Sequence, residues 1–142
     1  MTFQRWVRIA LGYLSAVSIQ IGAWALVAPR SFYDDFPGLG RMWVSVDGPY
    51  NEHLVRDVGA LNLAVAVLFV VAAIRLGRDV VTLAGAVALV WGVPHTVYHL
   101  LNTDVLDAGD VVVSLLGLIL FVVLGGGLVY AATRLPDERA VS

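Results

Sequence analysis

The chain contains no cysteine and no lysine, and only 14% of its 142 residues are charged. Each scarcity removes a class of function. Without cysteine there is no dithiol redox centre, no structural disulfide and no thiolate ligand for a metal. Nine arginines against eleven acids leave a net charge of −2 and no basic stripe, so no nucleic-acid partner is expected. A soluble domain carries roughly 25% charged residues. A chain that is 59% hydrophobic, with a mean hydropathy of +0.83, lacks the polar surface that water requires. Period-two alternation is missing too, which argues against lipid-facing barrel strands.

What is abundant is unbroken apolar sequence. It falls into four runs, residues 6–28, 54–74, 80–101 and 111–132, each near the ~20 residues a helix needs to cross a ~30 Å hydrocarbon core. The expected fold is all-α: one integral-membrane four-helix bundle over residues 1–142, with an outer loop of about 25 residues after the first helix. The first run exceeds the apolar core of about 7–15 residues found in signal peptides, so it is expected to stay as a helix. Arg5, Arg8, Arg75, Arg78, Arg134 and Arg139 fall on one side of such a bundle. Arg30, Arg41 and Arg56 fall on the other, among Asp34, Asp35, Asp47, Glu52, Asp57, Asp104, Asp107 and Asp110. The positive-inside bias then places both termini in the cytoplasm and the acidic end outside, in a multi-pass protein of the inner (plasma) membrane.

Local signals refine this. Gln20 lies near mid-span and is expected to face another helix and hydrogen-bond there. Pro29 ends the first helix. The connection over residues 30–50 mixes aromatic residues with charges and turn formers; it reads either as a loop with interfacial aromatic anchors or as a short segment lidding the outer mouth. Pro94 removes a hydrogen bond to the Val90 carbonyl and should kink the third helix. Asp107 and Asp110 read as caps of the fourth helix. Gly117 and the run Gly125–Gly127 read as close-packing positions.

All three histidines sit at the acidic ends of the second and third runs. His95 and His99 are four residues apart, so both project from one helix face; His53 and Asp57 share that spacing. A turn of about five residues makes the two helices antiparallel neighbours, which would bring the four side chains together beside Arg56, with Glu52, Asn62, Tyr98 and Asn102 at the edges and Asp107 or Asp110 arriving from the fourth helix. Three chemistries compete for such a cluster. His53, Asp57, His95 and His99 form a ligand set for a divalent metal ion: zinc, iron, manganese or copper. Alternatively, His95 and Asp57 act as a catalytic acid–base pair on a lipidic substrate, with Arg56 holding an anionic head group or an oxyanion. In the third, the same groups form a hydrogen-bonded network that pins the helices near the interface. Arg56 weighs against a crowded metal centre, because a permanent cation beside Asp57 more naturally forms an ion pair.

The segments NEHLVRDVGALNLA, at the entry to the second helix, and VPHTVYHL, in the third, resemble small actinobacterial membrane proteins that are broadly DoxX-like. The likeness covers most of the chain in topology, but in residues only 52–62 and 94–99. It implies a four-helix fold, a redox or accessory role beside a larger partner, and a joint role for Glu52, His53, Arg56, Asp57, His95 and His99. The missing cysteines exclude the thiol chemistry of some redox relatives. The expected function is a small membrane binding or accessory protein, holding a metal ion or a polar head group near its outer face. A membrane enzyme and a structural subunit are the alternatives. The expected partners are the bilayer and a larger membrane complex or a second copy of the chain.

Overall fold

In hydrocarbon, stretches of Val, Leu and Ala satisfy their backbone N–H and C=O groups by coiling on themselves. The computed structural model, which describes residues 2–136, contains four such long helices. They are α1 (Phe3–Val27), α3 (Glu52–Arg75), α4 (Arg78–Leu101) and α5 (Ala108–Ala132), each long and apolar enough to cross a membrane. Arg139 lies outside the described residues. The ends are chemically marked. The Asn51 side chain accepts from Leu54 N–H at 3.1 Å to start α3, and Asp107 accepts from Asp110 N–H at 2.9 Å to start α5. Leu76, in the left-handed region at φ 51°, and Gly77 turn the chain from α3 into α4. α4 continues unbroken through Pro94.

The helices are grouped in two pairs, α1 with α3 and α4 with α5. Glycine sets both approaches. A Cβ added to Gly59 would lie 2.5 Å from the Leu26 nitrogen, and one added to Gly22 would lie 2.9 Å from the Gly59 carbonyl oxygen. In the second pair, a Cβ on Gly85 would lie 2.7 Å from the Gly125 oxygen. Such close backbones gain dispersion contact that larger residues would forbid. Gly125 thus packs as the sequence implied, but Gly117, Gly126 and Gly127 face open space. Gln20 also departs from expectation: it is exposed on α1 and makes no hydrogen bond with any described residue. The pairs share one apolar core toward the arginine-rich end, built on Leu11, Leu14, Phe69, Val81 and Leu128.

The connection after α1 is folded. Pro29 opens a short helix, α2 (Pro29–Asp35), followed by a small antiparallel hairpin of β1 (Pro37–Gly38) and β2 (Arg41–Met42). Trp24, Phe32, Phe36 and Trp43 form a chain of ring contacts with centroids 4.9–6.2 Å apart, seated on Ala25 and Val55. Two bonds reach across to the other helix pair. Arg41 forms an ion pair with Asp110 of α5, and the Tyr98 hydroxyl of α4 donates to Asp47 at 2.9 Å. The segment is a cap joining both pairs at the acidic end.

Candidate functional site

At the start of α3, His53 and Asp57 lie 3.3 Å apart with side chains 89% and 54% exposed. Arg56 pairs with Glu52 at 2.9 Å, not with Asp57. It also donates to the Leu26 carbonyl, one of the acceptors left open at the end of α1. Arg56 is therefore a bolt between α1 and α3. Beside it, the Tyr50 hydroxyl donates to Glu52 at 3.4 Å, and desolvation and then the Glu52 carboxylate push its phenol above the ordinary value.

On α4, the His95 ring stacks on Trp91 with centroids 4.7 Å apart and planes at 20°. His99 meets His95 edge-on at 4.8 Å, and Tyr98 meets His99 at 5.6 Å. Trp91, His95 and His99 thus form a ladder at i, i+4, i+8, one turn per rung. No hydrogen bond, ion pair or ring contact joins His53, Arg56 or Asp57 to this ladder among the described residues. Nor does any group of three His, Asp or Glu side chains among them converge as a metal would require. The four expected ligands stand as two half-sites, His53/Asp57 and His95/His99. Helix rotation is the reason. Val55, Gly59, Asn62 and Ala66 define the inward face of α3, and at 100° per residue His53 and Asp57 fall on the opposite one.

The ladder descends to a cavity of about 100 Å³ lined by Ser18, Val58, Leu61, Asn62, Val65, Trp91 and Phe121. These residues come from the middle of all four long helices, and Leu61, 67% exposed, marks the lip through which the cavity opens. Phe121 packs on Trp91 with centroids 4.9 Å apart. Asn62 belongs here, well below the Glu52–Asp57 turn with which the sequence grouped it. Ser18, Trp91 and Asp47 were missed. The i, i+4 spacing that linked His95 to His99, taken one step back, would have found Trp91; nothing local marks Ser18 or Asp47.

Chemically, each neutral imidazole offers one N–H donor and one acceptor nitrogen. The Trp91 and His95 rings lie nearly parallel with His99 edge-on beyond them, and Asp47 adds a carboxylate acceptor beside Tyr98. The arrangement suits an amphiphile: hydrogen-bonding groups above, an apolar cleft below. No family model matches the chain, and neither a curated protein nor a solved structure matches it.

Proposed function

We propose that this chain is a small membrane binding or accessory protein of the plasma membrane, both termini cytoplasmic, holding the polar head group of a lipid-like ligand. The observation that carries the reading is the Trp91–His95–His99 ladder rising from a cavity between the helix pairs. The head group sits on His95 and His99, within reach of Asp47 and Tyr98, while the chain runs down the Trp91 face. The orientation rests on the five described arginines at the core end, Arg5, Arg8, Arg75, Arg78 and Arg134. The accessory role is supported by the outer face of α1, where Gly12, Ala16 and Gln20 recur every fourth residue and all face outward. An amide facing lipid is best satisfied by a neighbouring chain. The DoxX-like resemblance belongs to the same reading, resting on the two segments quoted above.

The test is retention of glycerol monostearate by the protein purified in detergent. Wild type should retain it, and His95→Ala/His99→Ala should lose about tenfold in affinity, the effect of roughly 1.4 kcal/mol. Equal retention by both proteins would sink the head-group assignment. A metal ion is the second reading, favoured by the helical spacing of His95 and His99. Near-stoichiometric metal in the same wild-type preparation, absent from the double variant, would put it first.

A further inference from the structure

Four hydroxyl side chains are buried in the bundle among the described residues: Ser15, Ser18, Thr96 and Ser114. Three return to their own helix. Ser15 donates to the Leu11 carbonyl at 2.7 Å, Thr96 to that of Gly92 at 2.7 Å, and Ser114 to that of Val111 at 3.0 Å. Ser18, only 2% exposed, makes no hydrogen bond with any described residue, although it is the most buried of the four. Its side chain lines the central cavity. Asn62, 9% exposed, lines the same cavity. One of its N–H groups goes to the Val58 carbonyl at 2.9 Å, and its Oδ1 receives no donor from any described residue. The Ser18 hydroxyl and the Asn62 carbonyl oxygen thus remain without a partner among the described residues at one cavity in the middle of an apolar bundle, and neither atom is sealed off from that space. Buried polar groups are ordinarily paired, so an open pair calls for a partner.

We infer that this cavity recognises an uncharged hydroxyl carried part-way along the chain of a lipid. The inference rests on the cleft reading above and names the ligand class. A hydroxyl is both donor and acceptor: it accepts from the Ser18 hydroxyl and donates to Asn62 Oδ1. No ionisable side chain lines the cavity, which selects a neutral group. At about 100 Å³ the cavity cannot enclose a whole lipid, but it has room for a hydroxyl-bearing bend in a chain. Depth sets where on the chain that hydroxyl belongs. His99 lies eight residues beyond Trp91 on α4, roughly 12 Å at the helical rise. The hydroxyl therefore belongs near the middle of an acyl chain whose head group rests on His95 and His99. Water is the competing occupant, since the space would take roughly three molecules.

The experiment compares two glycerol monoesters on the full-length protein in detergent micelles. One carries stearate and the other stearate with a hydroxyl on the twelfth carbon. Wild type should bind the hydroxylated ester at least about fivefold more tightly, the effect of one buried hydrogen-bond partner. Ser18→Ala, nearly the same shape, should abolish that preference, and Asn62→Leu should do the same. Ser15→Ala, a buried hydroxyl already bonded to its own helix, should leave it intact. Equal affinity for the two esters in wild type would overturn the inference and leave the cavity to water, as would a preference that survives Ser18→Ala. If neither ester binds, the cleft reading fails and takes the inference with it. If His95→Ala/His99→Ala leaves both affinities unchanged while Ser18→Ala still erases the preference, the hydroxyl site stands and the head-group assignment falls.

Discussion

Arg41 and Asp110 lie 69 positions apart in sequence, yet they form the ion pair that ties the cap to α5. Asp110 is the more enclosed partner, its side chain 12% exposed against 39% for Arg41. Removing the arginine strands a carboxylate in a largely dry setting, and the half-exposed position of Arg41 moderates the loss. Arg41→Ala should cost roughly 1–3 kcal/mol, and Arg41→Ala/Asp110→Asn should recover much of it by removing the stranded charge. Thermal unfolding in detergent reads both; a double variant no more stable than the single would refute the pairing. Little at this scale could be read from the sequence. His95 and His99 share a face because the spacing dictates it, and Asp107 caps α5 as a residue of its kind does. Arg56 was placed beside Asp57, but Glu52, one helical turn back, holds it. The contacts of Asp110, Asp47 and Ser18 depend on partners distant in sequence, and no local pattern encodes them.

Among the elements, the four spans were legible because hydropathy over twenty residues exceeds every competing signal. Their rotation about their own axes was not. The hydrophobic pattern runs almost all the way round helices such as α5, whose Val, Leu and Ile residues face lipid as readily as core. Rotation is set instead by where glycines let backbones meet, and the approach of Gly59 to α1 leaves His53 and Asp57 on the exposed, opposite face of α3. The cap was equally hidden, since a seven-residue helix and two-residue strands are too short for periodicity to reveal. Gly59→Ala and Gly85→Ala each place a methyl group against the backbone of the partner helix. Each should cost roughly 1–3 kcal/mol as the pair is forced apart. Gly117→Ala, in open space, should stay within about 0.5 kcal/mol of wild type. Unfolding in mixed micelles makes the comparison, and three equal effects would show that the close approaches do not govern packing.

For the molecule as a whole, firm packing and open space are segregated. The arginine-rich end is filled by one core; the middle keeps a cavity, and the acidic end is bridged by the cap. The ligand-binding role proposed above would use this division, with the core holding the pairs together and the cleft left open between them. Fold class and the polar end of the bundle could be foreseen from composition and arginine placement. The cavity could not, because it is a space between helices rather than a run of residues in any one of them.

The pairing has a consequence for how the chain is made. Each tight partnership joins spans that follow one another in sequence, α1 with α3 and then α4 with α5. The first half can complete its close glycine contacts while the second is still being synthesised. Assembly becomes the docking of two finished hairpins, with the α3–α4 seam closing last. Two co-expressed fragments divided at the Leu76–Gly77 turn should therefore insert and co-purify, whereas a division between α4 and α5 should yield a fragment that is degraded. The cleft proposed to receive a ligand would then be the last surface formed during biogenesis, and the lipid nearest that seam the first to reach it.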